Sequence, residues 1–310
     1  MDNLESNFPP SLARFRDLWL SRDQLMMLVV TLNLLFLGLD TWIAHLENGT
    51  IVPRERIPIV FGFAGGFILF IAGLLAARRR PLATVLATTT LAASIIVGFA
   101  GAYFHIMRAA LPAAPIGSRM SIDLLVWAPP ILGPLAFAVA GVLGISAVFL
   151  EDPVDSGILR ISKTIRTRLP FSKTRAYFFI VGMGMTAALI SSVLDHGRSS
   201  YESLWTWFAT GVGIYGIVVA VAMGLIDRPT KNDLWSYIGG MLLLVVAGGI
   251  GVLVHISSNL VGDNVFVLER FQRGAPILAP LLYANMGLLG LVSLLKPDTP
   301  DMDQGPLSLL

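Results

Sequence analysis

Eight stretches of this chain carry enough consecutive apolar residues to cross a bilayer, which takes about 20. They fall at about 24–46, 57–77, 82–106, 123–149, 176–196, 203–226, 234–257 and 275–295. Each is bounded by charges or turn residues, as at Arg78, Arg79, Arg80 and Pro81 after the second stretch. None has the period-two alternation of an outer-membrane barrel strand, and lipid supplies no hydrogen-bond partners, so the pattern predicts helices.

The pattern also repeats. Pro130–Ile145 reads PILGPLAFAVAGVLGI and Pro276–Leu291 reads PILAPLLYANMGLLGL, with nine of sixteen positions identical at an offset of 146. Four spans per half is an even number, so the halves point the same way, related by an axis along the membrane normal. The expected fold is therefore an all-α integral membrane protein of eight transmembrane helices, arranged as two parallel tandem four-helix bundles. Its divisions are a cytoplasmic N-terminal segment (1–23), a first repeat (24–149), a basic cytoplasmic linker (150–175), a second repeat (176–295) and a cytoplasmic tail (296–310). In the linker Ile158, Leu159, Ile161, Ile165 and Leu169 fall near helical spacing among Arg160, Lys163, Arg166 and Arg168. That spacing predicts a short helix on the anionic leaflet, with a solvated connector as the alternative.

Charge sets the orientation. With the N-terminus inside, inner segments hold 15 of the 22 basic residues and outer segments hold 7. The positive-inside rule then puts both termini in the cytoplasm of a bacterial inner membrane. Only 14% of the 310 residues are charged, against about a quarter in soluble domains, and the net charge is +2, which gives nucleic acid no footing. The expected surroundings are the lipid bilayer and other membrane subunits. Cysteine is absent from the sequence, which excludes thiolate metal sites, iron–sulfur clusters and covalent haem attachment.

What stands out chemically is histidine. The chain has four, His45, His105, His196 and His255, at the ends of spans one, three, five and seven. The spacing within each pair is 60 and 59, and the offset between pairs is 151 and 150. An imidazole at a membrane boundary needs partners that hydrocarbon cannot give. Two facing histidines on two helices of one bundle meet the requirement of a b-type haem with two imidazole ligands. The alternatives are copper or another ion bound by nitrogen, or no cofactor, with each histidine closing a helix C-terminus against the dipole. Asp40, within span one, is a weak candidate, because five residues before His45 is about 140° round the helix. Met107 offers a thioether near His105 and has Ser257 as its counterpart. Arg270 and Arg273, on the outer side, are weak candidates for a haem propionate or a lipid phosphate.

The paired prolines, Pro130 with Pro134 and Pro276 with Pro280, are expected in the first turns of spans four and eight. In length, helix count, tandem halves and one outer histidine pair per half, the architecture resembles haem A synthase. Those enzymes carry their histidines on even-numbered helices with a glutamate ahead of the first in each half, whereas this chain has them on odd-numbered spans without it. No catalytic role is therefore carried over. The usual nucleotide, hydrolase and metalloprotease motifs are absent from the sequence.

Four readings follow. The first is a membrane redox protein holding haem between a quinone and an outer-face partner. The others are a copper-type metal handler, a parallel-repeat transporter of small solutes, and an accessory subunit of a membrane complex. A transporter is disfavoured because the pattern breaks no span near its middle.

Overall fold

The structure is a computed structural model. It describes residues 20–297 apart from 47–48, 50, 77–79, 111–113, 128, 131, 162–163, 199 and 263–264. The two expected cytoplasmic end segments lie almost wholly outside those residues.

Among the described residues six helices are long and apolar enough to cross a membrane, consistent with an all-α membrane protein. They are α1 (Arg22–Leu46), α2 (Pro53–Ala76), α3 (Arg80–Ala109), α6 (Lys173–Gly197), α7 (Leu204–Leu225) and α8 (Lys231–Asn259). The shorter α4 (Ile122–Trp127), α5 (Leu135–Val148), α9 (Leu268–Arg273) and α10 (Leu281–Val292) complete the helices. Local chemistry starts several of them. Ser172 and Ser203 accept N-cap bonds from the amides of Arg175 and Trp205. Thr230 and Asp233 form a reciprocal capping box at α8.

The continuous spans expected at 123–149 and 275–295 are not there. Residues 132–134 and 276–280 are turns, and the helices that follow, α5 and α10, run for 14 and 12 residues. At 1.5 Å per residue these reach only about 21 and 18 Å, short of a hydrocarbon core of about 30 Å. Proline is the cause. Pro129, Pro130 and Pro134 in one segment, and Pro276 and Pro280 in the other, remove amide donors and bar the preceding residue from helical backbone. Pro134 and Pro280 become N-caps, while Pro130 and Pro276 stand outside the helix instead of in its first turn.

The linker is not helical either. Leu150–Glu151, Ile158–Arg160 and Arg166–Arg168 form a three-stranded antiparallel sheet, β1-β2-β3. Ile158 pairs with Arg168 and Leu150 with Arg160. In Ile158-Leu159-Arg160 only the middle side chain is buried, the alternation of a strand. Glu151 organises the first turn by accepting bonds from the amides of Asp155, Gly157 and Lys173.

Helix packing closes two rings. In the first, α1 packs on α2, α2 on α3, α3 on α5 and α5 on α1; in the second the same order joins α6, α7, α8 and α10. Between the rings α1 touches α10 and α6 touches α5. The tightest approaches use small residues, as expected where helices associate in lipid. A Cβ on Gly98 would sit 2.5 Å from the amide nitrogen of Ala138, and one on Gly248 would sit 2.7 Å from that of Ala284. Gly101 abuts Pro134 and Gly251 abuts Pro280 in the same way, at 2.6 and 2.7 Å.

At the end of the molecule that carries the sheet, the first turns of α1 and α6 meet around buried charge. The Lys173 ammonium donates to Asp23 and, at 2.8 Å, to the Phe149 carbonyl. Tyr177 donates to the same carboxylate at 2.9 Å, and the Arg22 guanidinium donates to Asp23 and to Thr174. Arg22 and Lys173 are fully buried. The Asp23 carboxylate and these hydrogen bonds offset part of the cost of burying two cations.

Candidate functional site

The opposite end of the molecule holds the histidines. α1 and α3 stand across the first ring from each other, since neither pair of their neighbours separates them by more than one helix, and both end at this rim. Each carries its histidine in or near its last turn. The rings of His45 and His105 come together with centroids 6.3 Å apart and planes at 53°. α6 and α8 are placed likewise in the second ring, and His196 and His255 lie 6.2 Å apart with planes at 78°. All four imidazoles are half-buried.

His45, His105 and His255 are each held by one nitrogen. Nδ1 of His105 lies 2.8 Å from the carbonyl oxygen of Pro130, and Nδ1 of His255 lies 2.8 Å from that of Pro276. These carbonyls are available because the proline segments are not helical. His45 uses the carbonyl of Thr41, one turn back, at 2.7 Å. A carbonyl oxygen only accepts, so Nδ1 must carry the proton, and the neutral ring then keeps its lone pair on Nε2. A backbone carbonyl orienting the distal N–H is the usual support of a metal-ligating imidazole.

The spacing discriminates among occupants. Metal–nitrogen bonds of about 2.0–2.1 Å, with about 1.1 Å from nitrogen to ring centre, set imidazoles on opposite sides of one metal about 6.3 Å apart. A tetrahedral angle would bring the centres to about 5.1 Å by the same bond lengths. The centroid separations of both pairs are compatible with the opposed arrangement. Among the described residues no group of three or more His, Asp or Glu gathers that could hold an ion, so neither pair has the further protein ligands a small tetrahedral ion needs.

The weaker candidates do not join the pairs. Asp40 is half-buried on α1, a turn and a half from His45. Met107 is 47% exposed. Arg270 is exposed on the six-residue α9, and the side chain of Arg273 lies outside the described residues.

Two features of the site escape a reading of the sequence by hydrophobic pattern. Buried Asn259, the last residue of α8, clamps Ala275 by two 2.8 Å bonds, one to its carbonyl and one from its amide, just before Pro276. That clamp fixes where the carbonyl of Pro276 sits. The other is Tyr201, whose ring stands 6.3 Å from His196. An asparagine closing a helix is a visible signal for the first; nothing local announces the second.

No family model matches this chain, and no curated protein or solved structure matches it.

Proposed function

We propose that this chain is a membrane electron-transfer protein that holds two b-type haems, one between His45 and His105 and one between His196 and His255. One observation carries the reading: two imidazole pairs have almost the same centroid separation, 6.3 and 6.2 Å, and in each the later histidine is held through Nδ1 by the matching proline carbonyl. A porphyrin supplies four equatorial nitrogens, so iron needs only the two axial ligands each pair can offer. When bound, such a group supplies reversible one-electron chemistry. The protein's own residues orient the rings of His45, His105 and His255 by fixing the Nδ1 proton, which directs the Nε2 lone pair to the ligand, and the surrounding apolar helices limit water.

The same reading places the chain as two parallel tandem four-helix bundles in a bacterial inner membrane, with the histidine rim outward and both termini inside. What supports a repeat is that contacts recur at constant offsets. Gly98 on Ala138 has its counterpart in Gly248 on Ala284, and Gly101 on Pro134 has its counterpart in Gly251 on Pro280. Between the halves, Arg22 reaches Thr174 while Lys173 reaches Asp23. With the offset of 151 these contacts exchange roles, as in a two-fold interface. Quinone and an outer redox protein are the partners this reading implies.

The test is absorption of detergent-purified protein, expressed with haem available. A Soret band with the sharp visible bands of six-coordinate low-spin haem supports the proposal, and its absence after reconstitution removes it. A second reading, copper(I) bound by two opposed imidazoles, fits the same spacing. Elemental analysis separates the two: iron at two per chain, or copper.

A further inference from the structure

The two pairs are not equally connected to the surface. His196 has two ring neighbours, His255 at 6.2 Å and Tyr201 at 6.3 Å. Tyr201 in turn lies 4.8 Å from Trp207, whose indole N–H donates to the Tyr201 carbonyl at 3.1 Å. Trp207 is 60% exposed, in the first turn of α7. A series of ring contacts thus links the half-buried second pair, through Tyr201, to the exposed Trp207.

The chain accepts backbone strain to make this row. Ser200 and Tyr201 have φ of +54° and +56°, a left-handed conformation that non-glycine residues enter only at an energetic cost. Those two residues fold the chain after α6 back on itself, so that the Tyr201 amide meets the His196 carbonyl and its ring lands on the His196 ring. The exposed residues around it are polar at Arg198, Ser200, Glu202 and Ser203 and apolar at Leu204, Trp205 and Phe208. An indole serving only to anchor a helix in the lipid headgroups needs neither the strained turn nor a ring beneath it.

Among the described residues the first half shows no such row. At the offset of 151 Trp207 corresponds to Arg56 and Tyr201 to Thr50. Arg56 is exposed, and Thr50 lies outside the described residues.

We infer that Tyr201 and Trp207 form a one-electron port, through which the centre held by His196 and His255 exchanges electrons with a water-soluble redox protein on the outer side. This rests on the haem reading above. In the outward direction one electron leaves ferrous iron, which becomes ferric, and passes by way of His196, Tyr201 and Trp207 to a one-electron acceptor. No bond is made or broken and no proton moves. The first centre lacks this port and exchanges electrons with the exterior more slowly, its natural partners being the second centre or a membrane-dissolved donor.

The test uses two single-centre proteins, His45→Ala, which retains the second centre, and His105→Ala as a second version of it, set against His255→Ala, which retains the first. Each is reduced with dithionite and mixed with ferricyanide in a stopped-flow instrument. The second centre should be oxidised faster than the first. Trp207→Leu should slow the second centre by at least an order of magnitude, Trp207→Phe should restore most of the rate, and neither should alter the first. A readout independent of turnover comes from cofactor-free protein titrated with haemin. Emission assigned to Trp207, by difference from Trp207→Phe, should be quenched in the His45→Ala background and unchanged in the His255→Ala background. Equal effects of Trp207→Leu on both centres, or none on either, overturn the port while leaving the haem reading intact. Lack of any haem band in the parent protein overturns both.

Discussion

Nδ1 of His105 and the carbonyl oxygen of Pro130 are 2.8 Å apart, joining the end of one helix to a segment that proline has kept out of the next. The bond has two consequences that substitution can separate. In His105→Asn the side-chain amide nitrogen takes the place of Nδ1 and can still donate to the Pro130 carbonyl, so thermal stability should fall by less than about 1 kcal/mol. In His105→Ala the carbonyl loses its donor, and the loss should be about 1–3 kcal/mol. Ligation by the first pair should vanish in both. Thermal unfolding alongside absorption checks the two effects independently.

The buried charges between α1 and α6 should matter more to stability than to the site. Asp23 faces Lys173, Arg22 and Tyr177 with only 3% of its surface exposed. Asp23→Asn leaves two buried cations without their carboxylate, and breaking such a set costs about 3–5 kcal/mol. Tyr177→Phe removes one hydrogen bond and should cost about 1 kcal/mol. Unfolding in detergent should rank them in that order, with absorption of the folded fraction unchanged.

Glycine substitutions should divide by position. A methyl on Gly98 or Gly248 would press on the backbone of Ala138 or Ala284, and overpacking of this kind costs about 1–3 kcal/mol. Gly239, on the same helix as Gly248, would place its Cβ in open space. There Gly→Ala should be neutral or stabilising by up to about 1 kcal/mol, from helix propensity alone. Equal losses at Gly98, Gly248 and Gly239 would contradict the close packing of α3 on α5 and α8 on α10.

Much of this was legible in the sequence because membrane helices obey one dominant constraint. The six long helices begin and end within a few residues of the runs predicted from hydrophobicity. The facing of His45 with His105, and of His196 with His255, was legible in their shared spacing. The failures arose where local backbone rules beat apolar content. Residues 129–134 and 276–280 are as hydrophobic as helix, yet their prolines forbid it. Residues 158–169 admit a helical spacing of apolar side chains, but Ile158 to Arg160 follows the shorter period of a strand, and Glu151 ties the turn beside it. The Arg22 and Lys173 contacts are tertiary and invisible to any window. One signal for them was present: the two residues are 151 apart, the offset that also separates His45 from His196.

The central claim is that each histidine pair is a separate site for one haem, and it is tested most directly by absorption of three proteins purified side by side with haem supplied: the parent, His45→Ala and His196→Ala. The account predicts a low-spin Soret band in the parent and about half its intensity per chain in each variant, because each loses one of two axial-ligand pairs. Absence of the band from the parent, or its complete loss in either single variant, would contradict it.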